Sequence, residues 1–139
     1  MMDPADYEVR KVLPATLAAA EEFFGEFRRR SQELMDRASS FAAELMVREA
    51  LTNAVVHGSD TDPERQIRCS WRLKGERLLI VVRDDGDGFD WRRAWDHPSE
   101  FPACSGRGIE ILRRYSRRVR FNDRGNTVTI IQQVLRKSQ

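Results

Sequence analysis

The sequence predicts an α+β fold: a two-layer sandwich in which helices cover one face of a mixed, mostly antiparallel sheet. Three observations predict it. Residues 66–73, "QIRCSWRL", alternate apolar and polar, and only "KGE" separates them from the denser apolar run "RLLIVVRD", which is the pattern of a hairpin. A second hairpin pattern, "VRFNDRGNTVTIIQQVL", turns at "DRGN". The segments with helical spacing stand apart from these pairs, and the regular strand–helix alternation of a doubly wound fold is absent.

Taken in order, "YEVRKVL" at 7–13 alternates weakly and reads as a short strand closed by Pro14. From Ala15 to Arg30, Leu17, Phe23, Phe24 and Phe27 recur at helical spacing, and the arginines 28–30 fall in an expected last turn, where the helix dipole favours cations. A second helix is expected from Asp36 to His57, with Gly58 as a left-handed C-cap. "DTDP" is a loop, and the first hairpin follows. Residues 85–106 are rich in Gly, Asp and Pro without periodicity, and a loop of that length inside a compact domain is usually functional. "GRGIEILRRYSRR" is a helix opening on glycine, and the second hairpin closes the chain. Cys69 and Trp71, on the inward positions of an alternating strand, are expected in the core.

The 139 residues suit one domain, 1–139, long enough to bury a core without a disulfide or metal staple. Hydrophobic residues are 40% and charged residues 33%, as in globular proteins, and the net charge of +2 demands neither nucleic acid nor an anionic membrane. Cys69 and Cys104 form no CxxC pair, which excludes the usual Cys/His metal spacing. With no apolar signal core and no run of membrane-spanning length, the expected location is cytoplasmic.

Three stretches carry residues that packing does not require. In "REALTNAVVHGS", Glu49, Asn53 and His57 are four apart, each step turning a helix by only about 40°, so they form one polar stripe beside Val47, Ala50, Leu51, Ala54 and Val55. A polar stripe usually lies opposite the apolar face, not at its rim. His57 is most simply a dipole-favoured cap in the last helical turn. "RDDGDGFD" puts Asp84, Gly86 and Gly88 directly after an apolar strand; a calcium loop is disfavoured because its twelfth position is Trp95. "SGRGIEI" places Gly106 and Gly108 at a helix start, where free N–H groups and the dipole suit an anion. Together they offer a carboxylate and an amide suited to hydrated Mg²⁺, an acceptor among glycines, and a phosphate cradle. A GxxxxGK[ST] loop and the protein-kinase motifs are both missing.

These stretches resemble the motifs of the GHKL (Bergerat) ATPase superfamily. "EALTN" is similar to its N box, "DDGDG" to its first glycine box, "SGRG" to its second, and "GNTVTI" to its last glycine/threonine box. Order and spacing agree across residues 45–131. Within the superfamily, "LPAT" and "EALTNAVVHG" most resemble the small anti-sigma factor serine kinases.

The resemblance implies ATP and Mg²⁺ as cofactors and a role for each matching residue. Asn53 ligates Mg²⁺, and Glu49 takes the proton of the attacking hydroxyl or orients it. Asp84 accepts from the adenine amine, while Gly86 and Gly88 admit the nucleotide without a Cβ in the way. Gly106 and Gly108 turn main-chain N–H groups toward the phosphates, and Thr127 adds a hydroxyl near the base. Residues 89–105 form a lid, in which Trp91 and Trp95 either close over the nucleotide or act as apolar anchors. Kinases of this group commonly carry an arginine two residues before the second box's first glycine; here that residue is Cys104, and Arg107 is the candidate substitute. The resemblance also implies a sigma factor and a STAS-type anti-anti-sigma protein as partners, and a homodimer. A module that binds ATP and sequesters a partner without phosphoryl transfer is the alternative. The run Arg113, Arg114, Arg117, Arg118 and Arg120 reads as a solvated or partner-facing surface rather than a DNA site.

Overall fold

The computed structural model describes residues 6–86, 88, 90–97 and 108–137. The elements run β1 (Tyr7–Pro14), α1 (Leu17–Leu34), α2 (Arg37–Asn53), a π-helical turn (Ala54–Gly58), β2 (Gln66–Lys74), β3 (Arg77–Asp84), α3 (Trp91–Asp96), α4 (Gly108–Tyr115), β4 (Arg118–Phe121) and β5 (Thr127–Gln133). The five strands form one sheet in the order β1-β2-β3-β5-β4. Every pairing among them is antiparallel. The α+β sandwich expected from the hairpin patterns is therefore what the chain builds.

Each helix starts where its sequence supplies a cap. The Thr16 hydroxyl accepts from the Ala19 amide at 3.1 Å, and the Asp36 carboxylate accepts from Ser39 at 2.9 Å. That second contact holds the Asp36 carboxyl below its ordinary pKa. The first helix extends one turn past Arg30 to Leu34, so the arginines do not occupy its last turn. Ala20, Phe23, Phe24, Phe27 and Ser31 form its buried face. Ser31 and Ser40 join α1 to α2 through a buried hydroxyl pair at 3.0 Å.

Strand alternation sorts the sheet into two faces. Ile67, Cys69, Trp71 and Leu73 on β2, and Leu78, Ile80 and Val82 on β3, point toward the helices and are buried. Val128 and Ile130 of β5 continue that layer. The expected core positions of Cys69 and Trp71 are confirmed, and the Trp71 ring meets Phe27 edge-on at 5.0 Å. Burial pushes the Cys69 thiol up to about 12. The inward file of β3 has one more member after Val82, and it is Asp84. Strict period-two alternation thus places a carboxylate at the end of an apolar row.

Two local expectations fail. Residues 54–58 do not continue the α-helix but widen into the π-helical turn, a form found frequently at functional sites. Gly58 is not left-handed; Asp60 and Thr61 take that region instead, at φ 52° and 55°. Such a φ is costly for a β-branched residue. The Thr61 amide closes the turn by donating to the Val55 carbonyl at 2.8 Å. Inside the expected long loop, α3 forms behind the Asp90 cap, which accepts from the Arg93 amide at 3.1 Å.

Candidate functional site

Glu49 and Asn53 lie on consecutive turns of α2 and are 5% and 3% exposed. The Oε2 of Glu49 and the Oδ1 of Asn53 are buried without a hydrogen-bond partner. Leaving such an acceptor unsatisfied costs about 1–3 kcal/mol each, more for a charged group. Native proteins keep few such atoms, and of the four among the described residues two lie in line on one helix. They suit a ligand that brings donors or a cation.

The π-helical turn carries the chain from Asn53 to Gly58, about 8 Å along the axis if rise is near the α-helical value. There it packs against β3. A methyl group on Gly58 would overlap the Asp84 carboxylate, and one on Gly86 would overlap the Gly58 carbonyl. Glycine at both positions is therefore a requirement of close approach. The Asp84 carboxylate accepts from the Gly86 amide at 2.8 Å, and its own amide donates to the Asn126 carbonyl at 2.9 Å. Desolvation raises the Asp84 pKa, with the neighbouring Asp85 charge adding to the rise. The Gly86 hydrogen bond and the charges of Arg65 and Arg124 oppose it. Gly88, at φ 97°, packs so tightly on the Arg124 carbonyl that a Cβ would collide there too.

Gly108 is the buried first residue of α4, and that helix packs on α2. Gly106, Arg107 and Cys104 lie outside the described residues. Thr127 is not brought to Asp84. It stands opposite Arg83 in the β3–β5 register, and its side chain lines the outer face of the sheet with Arg83. Its hydroxyl donates to Asn126 Oδ1 at 3.4 Å, and Asn126 is the residue of that box that reaches the Asp84 backbone. The Trp95 ring packs edge-on against Phe121 at 6.0 Å with the Arg113 guanidinium 5.3 Å from its centre, an anchoring role. The Trp91 side chain is outside the described part. His57 occupies the last turn of the π-helical segment, as expected of it.

Ser59, Arg65 and Asn126 were not singled out by the sequence, and Gly58 was read there only as a cap. Gly58 has an ordinary reading as a helix cap, which hid its contact with Asp84. Ser59 is fully buried with an unpartnered hydroxyl oxygen. Arg65 donates to the Gly58 carbonyl at 3.5 Å. Among the described residues, no group of three or more His, Cys, Asp or Glu side chains could hold a metal. A divalent ion here would rely on an amide oxygen and on ligands from outside the protein. Magnesium suits that donor set, because it keeps waters and substrate phosphates around few protein ligands.

The model of the histidine kinase-like ATPase domain matches residues 11–132, nearly the whole chain. The chain belongs to this family. An anti-sigma F factor of Shouchella clausii (strain KSM-K16) is 42% identical over 43 residues, covering 31% of this chain and 30% of that protein. One of Anoxybacillus flavithermus (strain DSM 21510 / WK1) is 36% identical over 45 residues, or 32% and 31%. The matched segments thus span about a third of each relative. No helix among the described residues is long and apolar enough to cross a membrane.

Proposed function

We propose that this chain is a cytoplasmic, ATP-dependent anti-sigma kinase. It holds a sigma factor and phosphorylates a Ser or Thr of a STAS-type antagonist, whose modification resets the partner exchange. The observation that carries the reading is the pair of unpartnered buried oxygens, Glu49 Oε2 and Asn53 Oδ1, on one stripe of α2. The anti-sigma F names of the two relatives support the choice of partner class.

Mg-ATP supplies the transferable phosphoryl group with part of its charge neutralised. Asn53 offers its side-chain carbonyl oxygen to the metal. Asp84 offers an acceptor to the adenine amine, held in place by the Gly86 amide and by the absence of a Cβ at Gly58. By the resemblance, Gly106, Arg107 and Gly108 would supply main-chain N–H groups and a cation for the phosphates. Glu49 accepts the proton of the incoming hydroxyl or orients it, from a position where burial strengthens every electrostatic contact. The working unit is a homodimer, as the resemblance implies.

A second reading has one observation behind it. Cys104 stands where the related kinases carry an arginine, and losing a cationic clamp on a transferred phosphoryl costs roughly 10³–10⁵ in rate. On that reading the chain binds ATP and sequesters its partner without transfer. Incubation with Mg-ATP and the purified antagonist separates the two. The kinase reading expects phosphate on the antagonist, lost with Glu49→Gln. Tight nucleotide binding with no transfer would establish the sequestering module instead.

A further inference from the structure

Among the described residues nothing covers the sheet face turned away from the helices, and three adjacent cross-strand rows occupy its middle. One runs Glu8, Arg72, Leu79, Ile131, Arg118. The next runs Arg10, Ser70, Val81, Thr129, Arg120. The third runs Val12, Arg68, Arg83, Thr127. Half-buried Leu79, Val81 and Ile131 form the centre, and exposed arginines flank it on both sides. A groove of about 640 Å³ lies over the β1–β3 side of this face.

Water alone does not ask for this composition, although an antiparallel sheet tolerates water on one face. The six arginines face a single acid, Glu8, which is already bound to Arg10 at 2.8 Å. Among the described residues, Arg68, Arg72, Arg83, Arg118 and Arg120 make no ion pair. Arg68 and Arg83 stand directly opposite each other. Like charges at directly opposed positions destabilise a sheet. Val12, beside them, is 58% exposed. The whole chain is only +2, so positive charge is concentrated here.

We infer that this outer sheet face docks an acidic, apolar-centred surface of the bound sigma factor, the inference resting on the anti-sigma reading above. Arginine around an apolar centre is the composition of a protein interface. A nucleic acid fits less well, because no aromatic side chain stands in the three rows for a base to stack on. A second copy of the chain would set arginines against arginines. The antagonist must present its hydroxyl near Glu49, which lies in the helical layer. The opposite face therefore suits the partner that is held rather than the one that is modified.

The test titrates the sigma factors of the source cell, each purified, onto the full chain with Mg-ATP, reading affinity by fluorescence anisotropy. The double variant Arg68→Glu/Arg83→Glu is expected to weaken the binding factor by roughly 10-fold or more, and wild-type affinity to fall steeply with added salt. Arg29→Glu, on the exposed side of α1, leaves affinity unchanged. The single variant Arg68→Glu places opposite charges across β2–β3 and is expected to raise the melting temperature while weakening binding, which no merely structural role would produce. Wild-type affinity in the double variant overturns the surface assignment. So does an effect confined to antagonist binding, or to self-association by sedimentation. If the wild-type chain binds no sigma factor, the anti-sigma reading fails first and this assignment falls with it.

Discussion

The carboxylate of Asp84 lies against the Cα of Gly58, so close that a single methyl group on the glycine would occupy the same space. This contact joins the two halves of the site. Gly58 ends the helical segment that carries Glu49 and Asn53, and Asp84 ends the inward file of β3. The position of the carboxylate is thus set from the helix side by a missing Cβ and from the loop side by the Gly86 amide.

Gly58→Ala is expected to push the Asp84 carboxylate out of place and weaken ATP binding by about 10-fold or more, with a smaller loss of stability. Gly25→Ala is the matched control. Nothing lies within 4 Å of a Cβ at Gly25 on the exposed side of α1, so the helix gains roughly 0.5–1 kcal/mol. Calorimetric titration and thermal melts of both variants read the contrast. Equal ATP affinity in Gly58→Ala and wild type would remove the contact from the site.

Asp84→Asn separates stability from binding. Because burial raises the folded-state pKa, the stabilising contribution of the protonated acid is complete below the ordinary value of 3.8. It is lost as pH rises through the raised value. At neutral pH the empty fold therefore carries a cost that an amide does not, and the variant should melt higher than wild type without nucleotide. The gap should narrow as pH falls toward 3.8. ATP affinity should drop by about 1–3 kcal/mol in the same variant, because an amide is a poorer acceptor for the adenine amine.

Asn53→Ala removes a buried oxygen that has no partner. The expected signature is little change in the melting temperature of the empty protein, with loss of the stabilisation that added Mg²⁺ gives the ATP complex. An unaltered magnesium dependence would mean that the amide oxygen is not a ligand.

The thiol of Cys69, pushed up to about 12 by burial, should be inert to a thiol-specific reagent at pH 8 in the native state and react on unfolding. Cys104→Ser serves as the background, leaving one thiol to count. Fast native-state reaction would contradict the packing of β2 against the helices.

Much of this was legible in the sequence. Period-two alternation located both hairpins, and helical spacing found the two long helices, because burial on one face imposes those periods. Glu49 and Asn53 stood out as polar residues at the rim of an apolar stripe. What escaped was set by contacts between distant segments. The role of Gly58 depends on where Asp84 ends up, and a glycine after a helix has a simpler local explanation. The π-helical turn has no sequence signature in "AVVHG". The register with β3, which no local pattern shows, puts the Thr127 side chain on the same face as Arg83 and leaves Asn126 to meet Asp84. The outer arginine face was only half visible, because Arg68, Arg72 and Arg83 lie far along the chain from Arg118 and Arg120.

The most direct measurement is a calorimetric titration of ATP into the full chain with and without Mg²⁺, repeated for Asn53→Ala and Asp84→Asn. The account predicts saturable wild-type binding that magnesium tightens, a weaker complex for Asp84→Asn at either condition, and no magnesium effect for Asn53→Ala. Wild-type protein that takes up no ATP, or two variants that bind it as the parent does, would contradict the site.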